Sequence, residues 1–234
     1  MLNSTMGSSL PANAIPYIAT YFNITDPTSK GLPISIYIVG YVVGPLLFGP
    51  LSESYGRKLI MTSTFFGFTA FTIGCAVAPN WTALVVFRFL TGAFAASPIS
   101  IIGGMYADIY DNPVSRGRSI AVFVGATSVG PLASPMISGY ITPAAGWRWT
   151  FWFAAIFAAV SWIPLLFLPE TFAPILLASR AAKLRKSTGN QNIVAAVELE
   201  KKGFKQMATV TLTRPIRMLC FEFIVLFTCC KKLP

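Results

Sequence analysis

The sequence is poor in charged residues and contains no histidine. Of its 234 residues, 11% are charged, against about 25% in an ordinary soluble domain. Eight Asp and Glu and no His leave few groups for metal ligation or general acid/base catalysis. The four cysteines lack the spacing of metal ligands. These absences disfavour a hydrolytic or metal-dependent enzyme, and we predict that the protein is not an enzyme and has neither a cofactor nor a metal site.

Apolar residues fill most of the chain, which is 54% hydrophobic and contains 19 Phe. Long uncharged stretches of this kind indicate that the bilayer, rather than water, is the solvent. The net charge of +10 is compatible with nucleic-acid binding, but the Lys and Arg lie between apolar runs and form no basic face interleaved with aromatics. We therefore predict an all-α membrane protein whose partner is the lipid bilayer and not nucleic acid.

Uncharged stretches, divided at Pro and Gly turns, predict six membrane spans, because a spanning helix needs about 20 mostly apolar residues. The first span is rich in Asn, Ser and Thr, and we predict that it is an incomplete helix. Together the six spans would form an N-terminal transmembrane bundle over residues 1–170. The predicted spans cover residues 3–22, 33–52, 59–78, 82–107, 119–141 and 149–168.

Basic residues are distributed unequally between alternate loops, and this predicts the orientation. The loops after the second, fourth and sixth spans hold most of the Lys and Arg, whereas the opposite loops hold only Lys30 and Arg148. By the positive-inside rule the first set of loops is cytoplasmic. We predict that residues 171–215 form a cytoplasmic, basic central loop and that residues 216–234 are the truncated start of a seventh helix.

Small residues recur at every fourth position of the fourth predicted span, on one stripe of the helix with a single charge. Such a stripe lets a second backbone approach closely. The pattern fits both ordinary close packing and a moving interface. The stripe, which we call the helix-four seam, begins at Arg88 and continues through Gly92, Ala96, Ser100 and Gly104.

A similar stripe and a short repeat occur in the fifth predicted span. Its small residues at every fourth position begin at Ala126, and its prolines favour a bend. The letters V-G-P-L at 129–132 repeat those at 43–46 in the second span. Matching positions in two triplets of helices are expected of a 3+3 inverted repeat.

Arg88 is the only basic residue deep inside a predicted span. Placing an arginine in hydrocarbon costs at least about 2.5–3.5 kcal/mol on insertion scales, so its side chain should face the bundle interior or water. Two interpretations follow: a residue of the substrate or proton pathway, or a structural arginine bonded to backbone carbonyls.

The ten residues after the second span, G-P-L-S-E-S-Y-G-R-K at 49–58, resemble the signature loop of major facilitator transporters. The resemblance implies a tight cytoplasmic turn in which Glu53 and Arg57 make charge contacts that hold an inner gate closed, with Asp108 as the partner of Arg57. The residues of this cytoplasmic gate motif are Gly49, Leu51, Glu53, Gly56, Arg57, Lys58 and Asp108.

Three further segments are similar to motifs of the same superfamily. The letters at 84–96 resemble its fourth-helix motif, with the matching basic residue at Arg88. Those at 168–189, beginning L-P-E-T, resemble the start of the central loop in the fungal drug:proton antiporter branch. The segment G-P-L-A-S-P-M-I-S-G is similar to the antiporter motif, although Ser134 and Ser138 replace two glycines. Its motif positions are Gly130, Pro131, Ser134, Pro135 and Gly139.

The resemblance implies the N-terminal half of a multi-pass transporter of the plasma membrane, which exports drugs or polyamine-like solutes by proton-coupled alternating access. A complete member needs about twelve helices with the solute bound between two halves, so we expect a missing C-terminal half or a second chain. No Asp or Glu lies at mid-depth of the six spans, so the proton acceptor would lie in the other half, involve Glu222, or use a network near Arg88. The alternative is a truncated, non-transporting fragment or a regulatory half-transporter that associates with full-length relatives.

Overall fold

The computed structural model describes residues 1–188, apart from the side chain of Ala107, and these residues form helices joined by short turns, with no strand among them. The chain divides into two units, Met1–Phe172 and Ala173–Pro234. Most of the predicted basic loop, the predicted start of the seventh helix and Glu222 lie outside the described residues.

Five helical spans in the described part are long and apolar enough to cross a membrane, which confirms the predicted fold class. They are Pro27–Tyr55, Arg57–Val77, Trp81–Tyr106, Pro113–Ala145 and Trp147–Phe167. The helices of the first unit are α1 (Leu2–Ser9), α2 (Ile15–Tyr21), α3 (Pro27–Tyr55), α4 (Arg57–Val77), α5 (Trp81–Ala95), α6 (Ser97–Ile109), α7 (Pro113–Ala145) and α8 (Trp147–Phe167). The described helix of the second unit is α9 (Ala173–Thr188).

The first predicted span, 3–22, is not one helix. A 3-10 turn at Ala12–Ala14 separates α1 from α2, and a proline stands on either side of that turn, at positions 11 and 16. Proline has no backbone N–H and its ring clashes with the preceding turn, so an α-helix does not continue through it undisturbed. The uncharged composition identified the segment, and its prolines divide it.

The fourth predicted span, 82–107, is also interrupted. Helix α5 ends at Ala95 and α6 begins at Ser97, with Pro98 as its second residue. Proline is favoured in the first turn of a helix because the N–H it lacks would be unpaired there. The span therefore consists of two helices in succession, joined at Ala96.

The two halves of the first unit repeat the same order of elements. Each has an interrupted span, then a long helix, then a helix of 21 residues: α4 in the first half and α8 in the second. Each long helix ends at a glycine with positive φ, which is 101° at Gly56 and 90° at Gly146. The repeated V-G-P-L letters lie in the two long helices, α3 and α7.

The interior of the bundle is built around α5, which packs against both α3 and α4. Its Leu84 is fully buried in an apolar cluster that includes Cys75 of α4 and Trp147 and Phe151 of α8. Helix α7 is the most exposed of the spans: Leu132 is 73% and Tyr140 81% exposed. Apolar side chains on that face are suited to lipid or to further protein rather than to water.

Candidate functional site

A carboxylate covers the start of α4, where the chain turns sharply out of α3. The left-handed φ of Gly56 allows this turn, and it leaves the first N–H groups of α4 without helical partners. The backbone N–H groups of Arg57 and Lys58 donate to the two oxygens of Glu170, at 3.2 and 3.1 Å. Oε1 of Glu170 also accepts from the N–H groups of Thr171 and Phe172, both at 3.0 Å. Glu170 thereby joins the end of α8 to the start of α4, in the position where a helix N-terminus favours negative charge.

The side chain of Arg57 pairs with Asp108, the partner that the resemblance implied. Nη2 of Arg57 lies 2.9 Å from Oδ2 of Asp108 at the end of α6, and the arginine side chain is 9% exposed. The guanidinium also stands over the ring of Phe172, 5.1 Å from its centroid. We call Arg57, Gly104, Asp108, Glu170 and Phe172 the Arg57 cluster. It connects α4, α6 and the segment after α8 at one end of the bundle.

Gly104 makes room for this arginine. A Cβ at position 104 would lie 2.8 Å from Nη2 of Arg57, which is closer than van der Waals contact allows. The neighbouring Gly103 has nothing within 4 Å of a built Cβ. The two adjacent glycines of α6 thus differ in the space available for a side chain, and alanine substitutions at the two positions can be compared.

We expect Gly104→Ala to displace the Arg57 guanidinium from Asp108, because the end of this side chain can rotate away, and to lower the free energy of unfolding by up to about 1 kcal/mol, the usual contribution of a partly exposed ion pair. Gly103→Ala is the matched control and should cause no loss. Thermal unfolding of the purified chain in detergent measures both. Adding Asp108→Asn to Gly104→Ala should cause little further change; a full additional loss would show that the ion pair survives the alanine.

Two glutamates near this turn, Glu53 and Glu170, differ in their contacts. Glu53 is exposed and forms no ion pair within residues 1–188, so the charge contact that we expected of it is not made there. Glu170 supplies the carboxylate at this turn instead. The L-P-E-T letters contained that signal, but contact between residues so distant in sequence could not be read from them.

We expect Glu170→Gln to lower the free energy of unfolding by about 1–3 kcal/mol, because an amide is a weaker acceptor than a carboxylate for several N–H groups. Glu53→Gln makes the same chemical change at an exposed position and should stay within about 0.5 kcal/mol of the unaltered chain. Chemical unfolding followed by tryptophan fluorescence compares the two. Equal effects would contradict the capping role of Glu170.

The helix-four seam lies against α3 along most of its length. A Cβ on Gly92 would lie 2.1 Å from the backbone oxygen of Tyr37. A Cβ on Gly44 would lie 2.8 Å from the Cβ of Ala96, and a Cβ on Gly49 would lie 3.9 Å from the Cβ of Ser100. The two backbones therefore touch at Gly92, and the seam ends at Gly104, which belongs to the Arg57 cluster.

Arg88 lies inside the bundle, 2% exposed. Its Nη1 donates to the backbone oxygen of Gly7 at 2.9 Å. The guanidinium carbon is 4.6 Å from the ring centroid of Phe151 and 5.6 Å from that of Tyr37. Nε and Nη2 have no hydrogen-bond partner within residues 1–188. Arg88 therefore connects three neighbouring elements and still has two free donors, so both interpretations of this residue remain open.

The antiporter-motif segment lies within α7, which continues through its prolines. Gly130 and Ser134 are buried, and the buried stripe continues to Ser138 and Thr142; Ala126, where the sequence pattern began, is exposed. A Cβ on Gly130 would lie 2.3 Å from Oγ1 of Thr5. Helix α1 therefore passes directly over this glycine.

A second arginine holds the opposite end of α4. Arg148, near the start of α8, donates through Nη2 to Oη of Tyr21 at 3.3 Å and to the backbone oxygen of Ala78 at 3.5 Å. Its guanidinium carbon lies 4.6 Å from the ring centroids of both Tyr21 and Trp147. A cavity of about 510 Å³ adjoins these aromatic rings, lined by Pro16, Tyr17, Thr20, Tyr21, Gly146 and Trp147.

Residues 1–188 contain no group of three or more His, Cys, Asp or Glu side chains placed to hold a metal ion. Their carboxylates lie at helix ends and in connections, and the charged side chain enclosed at mid-bundle is Arg88. The arrangement is one of helix contacts and charge pairs.

These features define an integral, multi-pass α-helical membrane protein. A sequence profile for the Major Facilitator Superfamily matches residues 1–230. The chain belongs to this superfamily, as the gate and antiporter motifs indicated.

Two fungal relatives are named as transporters. The MFS-type transporter traF of Penicillium crustosum is 42% identical over 221 residues, which cover 94% of this chain and 44% of the relative. The multidrug transporter TPO1_2 of Candida glabrata is 35% identical over 226 residues, which cover 96% of this chain and 39% of the relative. The chain spans less than half the length of these two relatives.

The fold is shared with the xylose transporter XylE from E. coli in a partially occluded, inward-open conformation. The TM-score is 0.67 with 18% sequence identity, over 97% of this chain and 58% of that one. At this identity the likeness concerns the fold alone. It agrees with the prediction of an N-terminal half of a major facilitator bundle.

Proposed function

We propose that the chain is the N-terminal half of an exporter of small organic solutes that works by alternating access. The Arg57 cluster carries the proposal, because it combines the superfamily's signature loop with an ion pair and a capped helix at one end of the bundle. Relatives of 35–42% identity named as transporters support it. Contacts of this kind hold one conformation and are broken in another.

We further propose that this end of the bundle faces the cytoplasm of a plasma-membrane protein. The support is the concentration of Lys and Arg in the loops on this side. The basic residues of α9, which include Arg180 and Lys183, continue the same charge bias after the first unit. In this orientation the cavity beside Tyr17, Tyr21 and Trp147 is on the outer side.

We also propose that export is coupled to the movement of protons. Within residues 1–188 no carboxylate lies inside the bundle at mid-depth, since Asp108 and Glu170 sit at one end of it and Asp26 precedes α3. A carboxylate that takes up and releases the proton would then belong to the other half of the complete transporter. Arg88, with two free donors, is the group of this half best placed to respond to it.

Export can be tested in yeast cells that lack their own drug exporters. The chain is expressed alone and together with the carboxyl-terminal half of the Penicillium crustosum relative, and accumulation of the fluorescent cation rhodamine 6G is measured. We expect the two chains together to lower accumulation several-fold, and Asp108→Asn in this chain to abolish the effect. A protonophore should also abolish it.

The possible outcomes separate the parts of the proposal. Export that persists with the protonophore would overturn proton coupling and leave transport intact. Equal accumulation in all cells would overturn transport by this chain. If the chain instead inhibits export by a full-length relative, the regulatory alternative would replace the proposed function.

A further inference from the structure

Two prolines of the bundle each leave a backbone carbonyl without its helical donor, and a side chain from another helix supplies a donor to each. In an α-helix the N–H of residue i donates to the carbonyl of residue i−4, and proline has no N–H to donate. Pro131, inside α7, therefore cannot donate to Thr127. Gly7 is among the last carbonyls of α1, which ends at Ser9, and Pro11 beyond that end has no N–H to give it. Unpaired carbonyls in a membrane-spanning bundle are costly, so such positions need another donor.

The donor to Thr127 is Thr5 of α1. Its Oγ1 lies 3.1 Å from the backbone oxygen of Thr127 in α7. The same hydroxyl lies 3.1 Å from the oxygen of Leu2 in its own helix, but Leu2 already has the helical N–H of Met6 as a donor. A hydroxyl has one proton to give, and the acceptor that lacks another donor is Thr127.

The donor to Gly7 is Arg88 of α5, whose Nη1 lies 2.9 Å from that oxygen. Helix α1 is thus engaged on two sides: it gives a hydroxyl to α7 and receives a guanidinium N–H from α5. A third contact extends the first, because Nδ2 of Asn13 donates to the oxygen of Pro135 at 2.7 Å. The spacing from Thr5 to Asn13 equals that from Thr127 to Pro135, so the two segments run side by side in the same direction.

We propose that Thr5 is a positioning residue. Its hydroxyl donates to the carbonyl of Thr127, which Pro131 leaves without a helical donor, and this hydrogen bond fixes α1 on α7 at Gly130. The close approach at Gly130 brings the hydroxyl within reach, and the missing N–H of Pro131 gives it an acceptor. The first Gly-Pro pair of the antiporter-like motif, Gly130 and Pro131, is then the site on α7 against which α1 packs. The two helices then move as one body in any conformational change of the bundle.

A double-mutant cycle on the full chain in detergent tests the proposal through the midpoint of thermal unfolding, read by tryptophan fluorescence. Thr5→Val keeps the shape of the side chain and removes the donor, and we expect it to lower the midpoint by about 4 °C. Thr5→Ser keeps the donor and should stay within about 1 °C of the unaltered chain. Pro131→Ala restores an N–H to the carbonyl of Thr127, so Thr5→Val should cost almost nothing in that background.

Pro135→Ala is the matched control, because it restores an N–H to a different carbonyl, that of Pro131. In its background Thr5→Val should keep its full penalty. A penalty equal in the Pro131→Ala and Pro135→Ala backgrounds would overturn the proposal, as would a Thr5→Ser variant as damaged as Thr5→Val. If Thr5→Val does not fold, recovery of folded protein when Pro131→Ala is added supports the proposal, and continued failure to fold overturns it.

The same variants can be compared by the distance between α1 and α7, which a stability measurement does not report. Spin labels on cysteines introduced at Ser9 of α1 and at the exposed Leu132 of α7 report the distance between the two helices, once the native cysteines are replaced. We expect Thr5→Val to broaden the distance distribution and the added Pro131→Ala to narrow it again. Unchanged distributions in all variants would overturn the positioning role. Neither measurement requires transport. The role of Thr5 can therefore be confirmed or contradicted whether or not the proposed function is correct.

Discussion

Gly92→Ala is expected to prevent correct assembly of the bundle. The new Cβ would lie 2.1 Å from the backbone oxygen of Tyr37, and a backbone atom in the middle of α3 cannot rotate away as the end of a side chain can. The helices must separate, which also pulls the neighbouring contact of Gly40 with the backbone oxygen of Phe89 apart. We expect a loss of about 3 kcal/mol or more, with little monodisperse protein after purification.

Gly125→Ala in α7 is the matched control, because a Cβ there has nothing within 4 Å. Alanine is the better helix former by about 1 kcal/mol, so this variant should be as stable as the unaltered chain or slightly more so. Size-exclusion profiles and thermal midpoints measured side by side decide the comparison. Similar behaviour of the two variants would mean that the α3–α5 contact is looser than described.

Arg88→Met is expected to abolish export while leaving the chain folded. The substitution removes one hydrogen bond, to Gly7, but it also removes two unpaired donors and the cost of burying a charge. Apolar replacement of a buried charge by a side chain of similar volume is often neutral in stability. The thermal midpoint should therefore shift by only a few degrees, about 1 kcal/mol in free energy.

The loss of export follows from the two donors that the fold leaves free. A charge enclosed in the membrane without a carboxylate partner within residues 1–188 is available to a proton-carrying or solute group that comes and goes. We expect at least a tenfold loss of rhodamine 6G export in the two-chain assay. Arg118→Met, at an exposed position near the start of α7, is the control and should export normally. Normal export by Arg88→Met would exclude Arg88 from the transport pathway, and loss of folding would show that its role is structural.

Hydropathy located the membrane spans because a spanning helix needs only length and an absence of charge, and both are visible in a sequence. Its boundaries were less reliable, since α3 begins at Pro27, earlier than the predicted 33, and includes Lys30. A single charge near the end of a helix can reach the membrane surface by extending its side chain. Using every charge as a boundary therefore shortened the helix.

The candidate site was predictable where the motif itself carries the geometry. Gly56 and Arg57 stand in consecutive positions whose glycine allows the turn, and the partner Asp108 came from the resemblance. Glu170 could not be assigned a role, because its contacts depend on how the end of α8 meets the start of α4. The donors to the proline-freed carbonyls were hidden for the same reason: a sequence shows which carbonyl a proline leaves unpaired, but only a three-dimensional arrangement brings Thr5 to Thr127.

The two arginines at the ends of α4 differ in the kind of partner they hold. Arg57 is bound to a charged carboxylate, that of Asp108, which is one-third exposed. Arg148 is bound to aromatic rings, a hydroxyl and a carbonyl, all of them neutral. Removing one carboxylate charge therefore acts on one end of the bundle only: it weakens the Arg57 end and leaves the neutral contacts of Arg148 unchanged.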